Sequence, residues 1–245
     1  MVSDRKKLSE EEKEKRNRRK AKLYKHNLKI APTEPITDNQ STAFHSYFQG
    51  KNVFLHGVAG TGKSFIAMYF ALSEIMSGRA EKIVIIRSTV QTREMGFMPG
   101  SEEEKLAYYE TPYKQLCAQL LSRDTSYNLL KEKGAIEFCS TAFMRGVTID
   151  NSVIIIDEVQ NMNFHEIDSI LTRIGENSRL IICGDFRQSD LNVVGRKNDK
   201  SGIEKLITIC EKMPSIDMIE FTAEDIVRSG FVKEYILTKI DLDYD

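Results

Sequence analysis

Residues 57–64 read Gly57-Val58-Ala59-Gly60-Thr61-Gly62-Lys63-Ser64, a stretch that matches the pattern G-x-x-x-x-G-K-[ST] in full. An apolar run, Asn52–His56, precedes it, and Phe65 opens an apolar helical stretch directly after it. A strand, a glycine-rich turn and a helix in that order are the context in which such a turn binds phosphate. The stretch therefore predicts an α/β fold with a phosphate site at the carboxyl edge of a parallel sheet.

We call residues 57–64 the phosphate loop, because each residue type in it suits the phosphates of a nucleotide. Glycines let backbone N–H groups converge on a β-phosphate, and the helix that follows adds a partial positive charge. Lys63 is predicted to reach the β- and γ-phosphates, and the Ser64 hydroxyl to bind Mg²⁺. We expect all eight residues, together with Phe65, to form the nucleotide site.

A second apolar run, Val153–Ile156, ends in two carboxylates, Asp157 and Glu158. Ligands gather at the carboxyl edge of a parallel sheet, which is where these side chains are expected to lie. We expect Asp157 to hold Mg²⁺ through water and Glu158 to polarise the water that attacks the γ-phosphate. The alternative is a strand followed by an ordinary polar turn, and the phosphate loop upstream favours the metal site.

A third apolar run, Leu180–Cys183, is followed by Gly184-Asp185-Phe186-Arg187-Gln188. Gln188 is predicted to hydrogen-bond both the γ-phosphate and the attacking water, which would couple the phosphate state to the position of this segment. The alternative is a simple turn after a strand.

Short runs rich in Val and Ile, separated by helical stretches, indicate a parallel sheet built from β-α-β units. The runs are Asn52–His56, Lys82–Arg87, Ile136–Cys139, Ser152–Ile156, Arg179–Cys183 and Asp217–Phe221. Residues 89–133 form a long excursion between strands, with a loop-like part at 98–101 and a predicted helix over 112–121. We expect the core to begin near Ile36.

The net charge of −1 hides an asymmetry. Residues 1–30 carry 12 Lys and Arg against 5 Asp and Glu, whereas the remainder carries 23 against 31. The pattern Ser9-Glu10-Glu11-Glu12 predicts a helix from there to about Leu28, and residues 31–35 then read as a stiff linker. Such a basic arm over residues 1–35 suits a phosphate backbone, or it is a solvated, partly disordered tail.

The chain has 245 residues, of which 41% are hydrophobic, and this suits one α/β domain with a real core. No apolar run approaches the ~20 residues that span a bilayer, and the charged N-terminus does not resemble a signal peptide. We therefore expect a cytoplasmic protein. The cysteines show no zinc-ligand spacing and are expected to be buried, reduced thiols: they are Cys117, Cys139, Cys183 and Cys210.

Taken in order, these motifs resemble the PhoH family of ATPases, which are related to the first RecA-like domain of superfamily-one helicases. The resemblance covers roughly residues 36–232. It rests on the stretches 57–64, 95–100, 143–148, 157–161, 171–175, 184–188, 201–202 and 225–228. It implies one RecA-like ATPase domain over residues 36–245, with a mostly parallel sheet, helices on both faces, and ATP and Mg²⁺ as ligands.

The resemblance also implies roles for three glutamines. Thr37-Asp38-Asn39-Gln40 is similar to a helicase Q-motif, in which Gln40 would read the adenine edge and favour ATP over GTP. Gln160 and Gln188 would sense the γ-phosphate. Apart from the family, a solvent-facing side chain is an equally good interpretation of Gln40.

Helicases also have a second RecA-like domain that supplies an arginine to the transition state, and we expect no such domain in these 245 residues. Without that domain, either ATP turnover is slow or a neighbouring subunit supplies the arginine. Arg228 is the first candidate and Arg173 the second, although either could form a surface ion pair instead. We therefore expect a homo-oligomeric ring with the nucleotide at the subunit interface. Val147 replaces the family's usual arginine, which weakens any inference about RNA contacts there.

Three hypotheses for function follow. The first is an ATPase coupled to RNA or single-stranded nucleic acid, supported by the motif set, the basic arm and Arg87-Ser88-Thr89, where helicases contact the strand. The second is a nucleotide-dependent switch whose acidic core and 89–133 excursion bind a protein partner. The third, a small-molecule kinase, is disfavoured by Glu158. We expect no ribonuclease activity, because the sequence leaves no room for the PIN nuclease domain that some family members carry.

Overall fold

The six runs rich in Val and Ile form six strands in a computed structural model of the chain, which describes residues 9–24, 28–88, 102–141, 146, 148–185 and 202–242. All six predicted strands are confirmed, each to within one residue at either end. The strands are β1 (Asn52–Gly57), β2 (Lys82–Arg87), β3 (Ile136–Ser140), β4 (Ser152–Asp157), β5 (Arg179–Gly184) and β6 (Ile216–Phe221).

The described strands form one sheet in the order β3-β2-β4-β5-β1-β6, and every neighbouring pair is parallel. Strands buried on both faces need nearly continuous apolar sequence, which explains why they were recognisable as apolar runs. Because β1 and β4 flank β5 and point the same way, their carboxyl ends bring the phosphate loop and Asp157 to the same edge of the sheet.

Helices cover both faces of this sheet. They are α1 (Glu10–Tyr24), α2 (Asp38–Phe48), α3 (Lys63–Met76), α4 (Glu102–Leu121), α5 (Ser126–Glu132), α6 (Phe164–Leu171), α7 (Ile203–Cys210) and α8 (Gly230–Asp241). Alternate strand residues divide the buried side chains into two clusters. One cluster joins the sheet to α2, α3, α4 and α5, and the other joins it to α6 and α7. None of the described helices is long and apolar enough to cross a bilayer.

Helix α4 begins at Glu102, ten residues before the start predicted at Pro112. A proline at the beginning of a periodic stretch usually marks the first helical turn, but here Pro112 lies inside the helix. Leu106 and Tyr109, both ahead of the proline, pack against the core. Their burial offsets the cost of the proline, which is how packing overrides local preference.

The N-terminal part of the chain joins the core earlier than expected. Ser9 and Glu12 form the predicted capping box, and the helix that they begin is described as far as Tyr24, with residues 25–27 outside the described residues. Leu28 is buried in the core, and the Ala31 N–H donates to the Leu120 carbonyl at 2.7 Å. The core therefore includes residue 28, whereas Ile36, its expected start, is 76% exposed.

The cysteines are free thiols, as predicted. Cys117, Cys183 and Cys210 are buried, while Cys139 on β3 is only half-buried. Within the described residues, no group of three or more His, Cys, Asp and Glu side chains could hold a metal ion.

Gly57 ends β1 with φ +112°, and a Cβ added there would lie 2.1 Å from the Phe221 carbonyl oxygen on β6. Gly50 also has a positive φ, +100°, but an added Cβ would meet nothing within 4 Å. We expect Gly50→Ala to lower the free energy of unfolding by about 1 kcal/mol through backbone strain alone. Gly57→Ala, with the backbone collision in addition, should lower it by more than about 3 kcal/mol. Urea denaturation of both variants measures this, and equal losses would contradict it.

Candidate functional site

A cavity of about 560 Å³ lies at the carboxyl edge of the sheet, where the loops after β1, β4 and β5 meet. It gathers most of the residues that the sequence singled out. Those on its wall are Ala59, Gly60, Thr61, Gly62, Lys63, Ser64, Phe65, Asp157, Glu158 and Arg228. Topology therefore brings three motifs, which are distant from one another in sequence, into one site.

The first residues of the phosphate loop hold the lysine. Lys63 Nζ donates to the carbonyl oxygens of Gly57 and Val58, each at 2.7 Å. Burial lowers the pKa of Lys63, and the negative charge of Asp185 opposes that shift. The ammonium is thus fixed beside the backbone turn whose N–H groups suit a phosphate.

Ser64 and Asp157 meet across the cavity. The Ser64 hydroxyl lies 3.1 Å and 3.2 Å from the two carboxylate oxygens of Asp157. Hydroxyl and carboxylate oxygens are the ligands that Mg²⁺ takes beside substrate phosphates, usually keeping several waters. The pair therefore fits the predicted metal position, with the remaining ligands left to the nucleotide and water.

Glu158 follows with an uncommon backbone conformation, φ 54° and ψ 44°. Gln160 holds its side chain, since Gln160 Nε2 donates to Glu158 Oε2 at 2.6 Å. Burial raises the pKa of Glu158, and the charge of Asp157 raises it further, whereas Arg87 and Gln160 lower it. A carboxylate with a raised pKa in a cavity suits proton transfer.

Gln160 itself is buried behind Glu158. Its Oε1 accepts a hydrogen bond from the Asp185 N–H at 3.1 Å, so the side chain links the ends of β4 and β5. Gln160 would therefore act on the γ-phosphate indirectly, through its hydrogen bond to Glu158 or to Asp185. Gln188, the other predicted phosphate sensor, lies outside the described residues, as does Val147.

Gln40 is buried and does not face solvent. Its Nε2 donates to the Thr61 carbonyl at 3.2 Å, and its Oε1 accepts from the Ile36 N–H at 2.9 Å. Gln40 also lines a second cavity of about 600 Å³, which shares Gly60, Gly62, Phe65 and Arg228 with the first. The Q-motif-like segment is therefore joined to the phosphate loop by a direct hydrogen bond.

Arg228 lies in the site of its own chain. A Cβ added at Gly60 would be 3.0 Å from Arg228 Cγ, and the Val227 N–H donates to the Gly60 carbonyl at 3.1 Å. Arg228 therefore borders the cavity of its own chain, and its supply by a neighbouring subunit stays a prediction. Among the described residues, no carboxylate lies within ion-pair distance of it. Arg173, the second candidate, lies after α6, where its carbonyl accepts the Ile149 N–H.

Tyr113 and Arg87 are among the residues on the cavity wall that were not predicted to lie there. The Tyr113 hydroxyl donates to Asp157 Oδ2 at 2.6 Å. Arg87 lies 3.9 Å from Glu158 and over the ring of Tyr109, on the wall of this cavity, and its predicted contact with a nucleic-acid strand stays a prediction. In the sequence, the apolar run of β2 indicates that Arg87 lies at the end of that strand. No local sequence signal distinguishes Tyr113 from an ordinary core residue.

Burial raises the pKa of Tyr113 well above its ordinary value, and the negative charge of Asp157 adds to this shift. The hydroxyl therefore stays protonated at neutral pH and acts as a hydrogen-bond donor. A short hydrogen bond from a donor to a carboxylate is stronger than a bond between neutral groups.

Comparison with known proteins gives a consistent result. The family described as PhoH-like protein matches residues 32–239. The PhoH-like protein of Bacillus subtilis (strain 168) is 36% identical over 185 residues, covering 75% of this chain and 56% of the relative. The protein PhoH of Escherichia coli (strain K12) is 35% identical over 203 residues, covering 81% and 56%. The chain thus spans about half the length of these relatives.

Two solved structures are similar to this chain at low sequence identity. The large terminase of a thermophilic bacteriophage, in complex with ADP, has a TM-score of 0.49 at 13% identity, covering 82% of this chain and 49% of that one. The Pif1 helicase from Candida albicans has a TM-score of 0.41 at 15% identity, covering 85% and 44%.

The raised pKa of Glu158 predicts the acid side of the pH–rate profile for nucleotide hydrolysis. Only the ionised carboxylate can accept a proton, so the rate should fall on acidification at a pH above ~4.3, the ordinary value for glutamate. Gln160→Ala removes a hydrogen bond that stabilises the ionised form, so the fall in rate should move to higher pH than in the wild type. Gln49→Ala, at the exposed end of α2, serves as the control. An unmoved profile for Gln160→Ala would contradict the assignment.

Proposed function

The chain belongs to the PhoH-like protein family, and from this premise we propose that it is a Mg²⁺-dependent ATPase coupled to RNA or single-stranded nucleic acid. The observation that carries the proposal is the meeting of the phosphate loop, the Ser64–Asp157 pair and Glu158 in one cavity. A loop of backbone N–H groups, oxygen ligands for Mg²⁺ and a carboxylate with a raised pKa are together the groups that hydrolysis of a nucleoside triphosphate requires.

In the proposed mechanism, the loop amides and Lys63 bind the phosphates, and Ser64 and Asp157 hold Mg²⁺. The metal supplies charge neutralisation at the phosphate oxygens. Glu158 orients the attacking water and accepts its proton as the water oxygen bonds to the γ-phosphorus and the bond to the β–γ bridging oxygen breaks. Gln160 keeps Glu158 in place through the hydrogen bond between their side chains.

We further propose that the base occupies the cavity of about 600 Å³ beside Gln40. The Gln40 amide uses one N–H for the Thr61 carbonyl and one lone pair for the Ile36 N–H. One N–H and one lone pair remain, and these suit the N6 amine and N7 of adenine. The remaining donor and acceptor of Gln40 therefore support binding of ATP over GTP. Arg228, which borders both cavities, is proposed to contact the same bound nucleotide.

Support for a nucleic-acid partner comes from the charge of residues 1–30, with 12 Lys and Arg against 5 Asp and Glu. Part of that charge is paired within α1, since Lys13, Lys15 and Arg18 each lie beside a glutamate one turn away. Such exposed pairs are weak, so these cations stay available to a phosphate backbone. A cytoplasmic location is proposed with this function.

A second candidate is a nucleotide-dependent switch that binds a protein partner. The observation that favours it is helix α8, which begins two residues after Arg228 and carries Phe231 and Tyr235 with 80% and 63% of their surface exposed. Exposed aromatic side chains next to a nucleotide site suit a partner surface that responds to the bound nucleotide.

An ATPase assay tests the first proposal. Lys63→Ala should bind ATP poorly and lose turnover, because the ammonium that faces the phosphates is gone. Glu158→Gln should keep ATP binding and lose turnover by about 10²- to 10⁴-fold. Glu132→Gln, an exposed change on α5, is the control. RNA should raise the wild-type rate, and salt should erase that effect. Phosphate release that no nucleic acid stimulates, together with a partner captured only with nucleotide, would favour the switch.

Mixing two inactive variants tests whether Arg228 acts in its own subunit. If Arg228 came from a neighbour, subunits of Arg228→Ala and Lys63→Ala would complement each other, since each supplies what the other lacks. We expect Arg228→Ala to lose at least about 10-fold in kcat/KM and the mixture to show no recovery. Arg123→Ala, at an exposed position, is the control.

Recovered activity in the mixture would instead support the ring with an arginine supplied by the neighbouring subunit. Light scattering on the same samples reports whether the chain is a homo-oligomer. That oligomer stays a prediction in either case, because the proposed role of Arg228 in its own site does not require it.

A further inference from the structure

Tyr113 reaches the nucleotide cavity from an unexpected part of the chain. It lies on α4, which belongs to the excursion between β2 and β3 and carries none of the sequence motifs. The side chain is 1% exposed, and its ring lies against Phe138 of β3 with the ring centres 5.7 Å apart. This packing fixes the ring and aims the hydroxyl at Asp157, 2.6 Å away.

Three groups hold the Asp157 carboxylate. Tyr113 donates to Oδ2, the Glu158 N–H donates to Oδ1 at 3.1 Å, and the Ser64 hydroxyl lies against both oxygens. Asp157 is itself buried, so water does not replace a lost partner easily. Of these three donors, Ser64 belongs to the phosphate loop and Glu158 directly follows Asp157, whereas Tyr113 comes from α4.

We infer that Tyr113 is a positioning residue for the Mg²⁺ carboxylate: its hydroxyl sets the orientation in which Asp157 meets the metal. The inference rests on the proposed function, which assigns Mg²⁺ to Ser64 and Asp157. Groups that hydrogen-bond a metal ligand typically contribute a factor of about 10–100 to metal affinity, because they fix the ligand's direction. The short bond from a buried hydroxyl to a carboxylate is of this kind.

The arrangement links α4 to the metal position. Anything that shifts α4 by an ångström would lengthen the Tyr113–Asp157 bond and change how readily the site takes Mg²⁺.

Tyr127 provides a matched control on the neighbouring helix α5. Like Tyr113 it is fully buried in the same hydrophobic cluster, but its hydroxyl has no hydrogen-bond partner among the described residues. Tyr113→Phe and Tyr127→Phe therefore make the same chemical change within one hydrophobic cluster. Only the first removes a bond to the carboxylate.

The test is binding of a fluorescent ADP, N-methylanthraniloyl-ADP, titrated with Mg²⁺ and repeated in EDTA. We expect Tyr113→Phe to need at least about 10-fold more Mg²⁺ for the metal-dependent gain in ADP affinity. Its affinity in EDTA should equal that of the wild type, because the loop is intact. Tyr127→Phe should match the wild type in both conditions.

An unchanged or lower Mg²⁺ requirement for Tyr113→Phe would overturn the inference. If Tyr113→Phe also binds ADP more weakly in EDTA, the inference is overturned as well, because a loss without metal indicates that Tyr113 supports the fold of the site. If the wild-type protein binds the nucleotide with no response to Mg²⁺, the proposed function fails, and the two failures are thereby distinguished.

Discussion

The hydrogen bond between Ser64 and Asp157 is the contact on which the site depends. It joins the first turn of α3 to the end of β4, across the intervening strand β5. Asp157, Glu158 and Lys63 lie close together there, partly away from water. Burying each charge alone costs free energy, and the attraction between the lysine and the two carboxylates offsets that cost. The parallel sheet makes this possible, because every strand ends at the same edge.

The sheet and the phosphate loop could be predicted from sequence because their signals are local. A strand buried on both faces must be apolar along its length, so β2 and β4 were visible as runs of Ile and Val. The phosphate loop is recognisable because its backbone N–H groups converge only when glycine stands at fixed positions. Asp157 and Glu158 followed from the rule that ligands bind at the carboxyl edge of such a sheet.

What escaped prediction depends on contacts between distant segments. Tyr113 has the apolar surroundings of a core residue, and only the packing of α4 against the sheet turns its hydroxyl toward Asp157. Leu28 joins the core although it follows a mostly charged helix. The position of Arg228 beside the phosphate loop depends on the hydrogen bond from Val227 to Gly60, a tertiary contact with no signature in sequence.

The left-handed backbone at Glu158 has a consequence for how this position can evolve. A glycine or an asparagine would adopt φ 54° at less cost, so folding alone would favour either of them. A carboxylate there carries a backbone strain of about 1–2 kcal/mol. Under the proposed function, the residues that would form this turn most easily are ones that cannot accept a proton, so backbone stability and chemistry make opposite demands on this one position.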